Sequence, residues 1–397
     1  MRGAWRWLRE ANPVVVTMLA LLVAGVLGGL LVAAADRGTQ AAAGYFAARP
    51  QDTLSAGLRA AGSAYRALFE GAVLNPSTLS GGSFRAIFGP LSETITLASP
   101  LILAGLSVAL AFRAGLFNIG GQGQILLGAI AAGYIGFAWH LPVGLHLLLG
   151  LVGGLLGGAL WGGIAGILKA RFGAHEVITT IMLNYVAVAL LGLLLTTAGF
   201  QRPPGTQAIS PIVDGSARLP QLAGSGLRVN AGIILALLMA AGLWWLTERS
   251  VFGFQLRAVG ANPSAARTAG IGVGRVTAGV MLLAGGLTGL AGAVQILGTN
   301  AAVTGDIDAG IGFDGITVAL LGRGRAGGTV AAGLLFGGLR AGGSYMQSAT
   351  AVPLDLVTVL QALIVIFVAA PTLIAAMFRL RAVRADAGTP QLAKGWG

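Results

Sequence analysis

Asp306, Asp308 and Asp314 fall within the stretch TGDIDAGIGFDG, close enough in sequence for their carboxylates to be read as a cation site. The spacing fits no twelve-residue calcium loop. His175 and Glu176 are adjacent, but no second histidine follows at the helical spacing of a zinc motif, and the other histidines, His140 and His146, lie far away. An outer-surface contact for a partner protein and a solvated loop are the two readings left for the aspartates. No carboxylate pair, metal cluster or nucleophile–base pair points to an enzyme, and a chain without cysteine has neither disulfides nor thiol chemistry. The phosphate-binding pattern GxxxxGK followed by Ser or Thr is missing. The expectation is a chain that binds no cofactor and leaves any use of ATP to a separate ATPase chain.

The remaining candidates are neutral amides. The stretch GLFNIGGQGQ, Gly115 to Gln124, places Asn118, Gln122 and Gln124 among glycines that permit backbone a helix does not use. Asn184 sits in the middle of the apolar run TTIMLNYVA. Lipid offers no hydrogen bonds, so such groups must face protein or a wet cavity. Two readings stay open for these four residues. They line a polar path for a neutral solute, or they satisfy broken backbone and hold helices together.

Stepping outward, 55% of the residues are hydrophobic and 10% are charged, where a soluble domain carries about a quarter. Apolar runs of spanning length recur along the chain, near residues 14–35, 92–112, 121–139, 145–168, 177–197, 229–246, 276–297, 312–322, 327–345 and 354–377. The fold expected is all-α and polytopic, about ten transmembrane helices, give or take one. The eighth run is too short to cross as a helix, so a re-entrant turn or an extended outer end is expected there. The first run, after Arg2, Arg6 and Arg9, exceeds the roughly 7 to 15 residues of a signal-peptide core and reads as a retained span. The net charge of +12 could suggest nucleic acid, but no aromatic-interleaved basic stretch occurs. Most of the arginines fall on alternate loops, which places both termini in the cytoplasm.

The whole chain then reads as one transmembrane domain. Residues 36–89 form an outer segment, in which Tyr65, Leu68, Phe69 and Ala72 predict an amphipathic helix over 63–74 lying on the outer leaflet. Residues 199–228 form a second outer loop, 247–275 an inner one, and 378–397 a cytoplasmic tail. Gly150, Gly154, Gly158, Gly162 and Gly166 recur every fourth residue, a stripe for close helix packing. In the inner loop Asn262 suits an N-cap, Pro263 the first helical position and Gly270 the helix end. Ala265, Ala266 and Ala269 give this short helix a small face, flanked by Arg257 and Arg267, suited to a partner's groove.

That loop, with AVGANPSAARTAGI, resembles the ATPase-contacting loop in permease subunits of ABC importers that serve sugars, branched-chain amino acids and nucleosides. FRAGLFNIGGQGQILLGA and HEVITTIMLNYVA look most like the nucleoside-type members, and the resemblance covers about residues 85 to 377. Gln122 departs from the pattern, since many relatives carry glutamate there. The resemblance implies a bacterial inner-membrane importer half. Its partners would be a second permease, identical or homologous, two cytosolic ATPases, a periplasmic or lipid-anchored solute-binding protein and membrane lipids, with no nucleic acid. Arg257, Gly260, Asn262, Pro263, Ala265, Ala266 and Gly270 would then carry ATPase coupling. A sugar or branched-chain amino acid permease is the alternative. An ion-coupled carrier is more remote, because the span interiors hold few ionisable groups apart from Arg340.

Overall fold

The computed structural model describes residues 13–78, 82–224, 226–350 and 352–379. Arg2, Arg6, Arg9 and the tail beyond residue 379 lie outside them. The described residues are organised as α-helices and connecting loops, with three isolated β-bridges and no named strand. In chain order the helices are α1 (Pro13–Ala35), α2 (Arg37–Ala43), α3 (Pro50–Ala72), α4 (Phe84–Arg113) and α5 (Gly121–Ala138). Then come α6 (Leu145–Phe172), α7 (Glu176–Leu194), α8 (Gly232–Arg249), α9 (Val251–Ala261) and α10 (Pro263–Thr268). The last are α11 (Val273–Val294), whose end widens into a π-turn over Gln295–Asn300, α12 (Ile311–Leu321), α13 (Ala326–Thr350), α14 (Asp355–Ala369) and α15 (Pro371–Met377).

The chain divides into two compact units, Met1–Gly71 with Gly342–Gly397, and Ala72–Ala341. In the first, α1 packs on α14 and receives α3, whose Tyr65 hydroxyl donates to the Gly25 carbonyl. A Cβ on Gly28 would lie 2.8 Å from the Tyr65 hydroxyl and 2.9 Å from Leu360, so a small residue is required there. The amphipathic helix expected over 63–74 is therefore longer, and its buried face is built from small residues such as Gly57, Ala64 and Ala67. Phe69, assigned to the apolar face, is exposed.

In the second unit the glycine stripe does what its spacing predicts. α6 lies against α11 so closely that a Cβ on Gly158 would sit 2.3 Å from the Gly285 carbonyl oxygen. On the facing helix, a Cβ on Gly289 would sit 2.2 Å from the Gly154 carbonyl oxygen. α5 joins the same seam, where Gly128 faces Gly289. With no hydrophobic drive between helices in lipid, backbone approach of this kind supplies the dispersion energy of association.

Every expected span contains a helix, but six of the described helices are long and apolar enough to cross a membrane. A seventh arises if α14 and α15, bent by 86° at Ala370–Pro371, count as one span. α5 begins with two glutamines, α12 has 11 residues, and α13 carries Arg340, which is why these three fall short. Residues 301–310 are non-helical; Val303 faces Gly133, while Gly312 sits against the Gln122 backbone. The segment thus runs about 16 Å along α5 before α12 begins.

Candidate functional site

Arg113 ends α4, and Gly115 turns the chain at φ +70°, a conformation that favours glycine. The non-helical residues that follow leave backbone groups without helical partners, and the amides take them up. Asn118 Nδ2 donates to Gln124 Oε1, and Gln124 Nε2 donates back to Asn118 Oδ1, both at 3.1 Å. Asn118 Oδ1 also accepts from the Gly120 N–H at 3.0 Å. From α7, Asn184 Oδ1 accepts from the Gly123 N–H and Asn184 Nδ2 donates to the Ile119 carbonyl, both at 2.9 Å. Asn118, Gln124 and Asn184 are 1%, 1% and 3% exposed. Of the two readings, this geometry favours bracing of the broken backbone for these three. Gln122 differs: it is half-buried, and its side chain makes no hydrogen bond among the described residues.

Beside Gln122 lies the start of α12. Asp308, 4% exposed, caps it by accepting from the Gly310 N–H at 3.1 Å and the Gly312 N–H at 3.0 Å. Arg340 of α13 donates to the Ala309 carbonyl at 2.9 Å and to Asp314 Oδ2 at 2.8 Å. Asp308 is thus a buried cap, which removes it from the solvated-loop and surface-contact readings; Asp314 is a partly exposed ion-pair partner, and Asp306 is exposed. The sequence reading missed this pair as a site. Its trace was the single arginine inside an apolar run. No group of three metal-ligating side chains occurs among the described residues.

The 247–275 loop forms two helices, not one. Asn262 separates α9 from α10, and its Oδ1 accepts from the Ser264 and Ala265 N–H groups at 3.0 Å each, with Pro263 at the first position as expected. Gly270 ends α10 at φ +81°. Ala266, assigned to the partner face, points inward instead. Ala266 is 4% exposed, and a Cβ on Gly260 would lie 2.4 Å from the Arg113 carbonyl oxygen. The exposed side of α10 is Pro263, Ser264, Ala265, Arg267 and Thr268. Arg257 reaches Glu248 at 4.0 Å, and Glu248 is held at 2.5 Å by Arg113, which also donates to the Gly324 carbonyl at 2.9 Å. The loop therefore rests directly on the start of the GLFNIGGQGQ segment, through Gly260 against Arg113–Gly115.

The sequence model of the family described as branched-chain amino acid transport system / permease component matches residues 91–369. The guanosine ABC transporter permease protein NupP of Bacillus subtilis is 43% identical over 300 residues, which is 74% of this chain and 86% of that protein. The glucose ABC transporter permease protein TsgB13 of Haloferax volcanii is 36% identical, covering 70% of this chain and 75% of that one. The nucleoside ABC transporter permease protein NupB of Lactococcus lactis is 34% identical, covering 78% and 86%. No solved structure matches significantly.

Proposed function

This chain belongs to the family of permease components of branched-chain amino acid transport systems, as a transport subunit and not an enzyme, and we propose that it carries an uncharged nucleoside across the bacterial inner membrane. The observation that carries the substrate class is its 43% identity to a guanosine permease across 86% of that protein. The site is consistent with it: its amides are neutral, and its ion pair carries no net charge. Glucose is the second reading, favoured by the 36% identity to a glucose permease.

The importer would comprise this chain, a second permease, two cytosolic ATPases that use ATP, and a solute-binding protein outside. The chain acts as one permease domain of ten spans, α12 with residues 301–310 making the eighth, and both termini are cytoplasmic. α9 and α10 then meet the ATPase. Gly260 offers a mechanical route: displacement of α9 would press on Arg113–Gly115, where the helix is already broken. Energised vesicles containing the whole transporter should take up labelled guanosine in an ATP-dependent manner, unaffected by excess glucose. Uptake blocked by glucose and insensitive to nucleosides would replace the first reading with the second. The absence of cysteine makes topology directly measurable: labels introduced at Gly205 should react from outside, and at Ser264 from inside.

A further inference from the structure

The polar groups around the start of α12 are of two kinds. Asn118, Gln124, Asn184 and Asp308 are buried and engaged within the chain. Gln122, Asp314 and Arg340 come from three elements, α5, α12 and α13, to the same helix start, and each keeps surface open. The side chains of Arg340 and Asp314 are 23% and 24% exposed. Asp314 Oδ2 is taken by Arg340, while Oδ1 accepts no hydrogen bond among the described residues. Arg340 lies about 21 Å along α13, the ninth span of the proposed topology. An ion pair at that depth is costly against lipid, so it faces water or protein. The adjoining residues 301–310 are non-helical, and lipid does not tolerate exposed backbone of that kind either.

We infer that Asp314 and Arg340 contact the solute, Asp314 Oδ1 accepting from neighbouring hydroxyl groups of an uncharged solute. The guanidinium holds the carboxylate in place, and the pair's zero net charge suits a neutral ligand. Vicinal hydroxyls match a carboxylate oxygen that has spare lone pairs. This inference rests on the proposed nucleoside function and names the wall of its path.

The test uses the complete transporter in vesicles, with guanosine and 2′,3′-dideoxyguanosine as the two solutes. Asp314→Asn should raise the KM for guanosine about tenfold, the loss expected for one charge-assisted hydrogen bond. The KM for the dideoxy compound should stay unchanged, as should membrane abundance and basal ATPase activity. An equal loss for both solutes, or intact discrimination, makes the pair a brace and overturns the inference. Should Asp314→Asn fail to accumulate, Arg340→Gln is read in the same way, and failure of both assigns the pair to folding and overturns it too. A wild type that imports no nucleoside overturns the proposed function together with this inference. Nucleoside import with unaltered discrimination overturns the inference alone.

Discussion

The amide cluster at the start of α5 and the ion pair at the start of α12 are both polar islands beside broken helices, yet one is closed and the other open. Asn118, Gln124 and Asn184 spend their donors and acceptors on each other and on backbone. Gln122 and Asp314 keep unspent hydrogen-bonding capacity at a half-open surface. The difference teaches that polar residues inside apolar spans have two separate uses. A closed cluster lets the backbone leave the helix without orphaned groups. An open one leaves capacity for something that is not part of the chain. Residue type does not distinguish them, since Gln122 and Gln124 are the same amide two positions apart.

Substitutions can break this comparison, and the largest effect is expected at Asn118. Asn118→Leu orphans the Gly120 N–H and both ends of the Gln124 amide. At about 1–3 kcal/mol for each unsatisfied buried group, the variant should fail to accumulate in the membrane. Normal abundance with impaired uptake would mean that the cluster is open after all. Asn184→Leu orphans two groups, the Gly123 N–H and the Ile119 carbonyl, and should show a smaller fall, read as a lower midpoint in detergent thermal melts. An unshifted midpoint would remove Asn184 from the brace.

Gly260→Val tests whether the α9–α10 loop is tied to this region. Its Cβ would collide with the Arg113 carbonyl oxygen, an overpacking cost of about 1–3 kcal/mol. Reduced coupling of ATP hydrolysis to uptake is expected, with most of the protein still inserted. Tight coupling in this variant would separate the loop from the broken helix. The smallest effect on folding is expected at Gln122. Gln122→Ala breaks no hydrogen bond among the described residues, so abundance should match wild type, while the KM for solute rises a few-fold, about 0.5–1 kcal/mol for one weak contact. A drop in abundance equal to that of Asn118→Leu would erase the contrast between the two islands.

Much of the architecture was legible from pattern. The glycine period of α6 announced a close helix contact, and Gly154, Gly158 and Gly162 meet backbone of α11. The cap at Asn262 was readable because N-capping is a matter of three consecutive residues. The shortness of the eighth run implied a re-entrant turn or an extended outer end, and the ten residues before α12, 301–310, are non-helical. The readings that failed were those about direction. Ala266 was assigned outward and points inward, and the amphipathic helix proved to bury its small residues, not Phe69. A small side chain fits equally well under a partner or under the chain's own backbone, so composition cannot choose between them.

By itself, then, the sequence determined what is local or periodic: apolar runs, helix caps, the glycine seam and the absence of thiol chemistry. Hydrophobicity, capping and close-packing spacing act over a few residues, so they are visible in order along the chain. Only the tertiary structure decided which polar groups meet. Asn118 finds Asn184's neighbourhood across more than sixty positions through the bonds of Asn184 to Ile119 and Gly123, and Asp314 finds Arg340 from another helix. Whether such a group is spent or free depends on the partners that packing brings within about 3 Å, and that distance is a property of the folded chain.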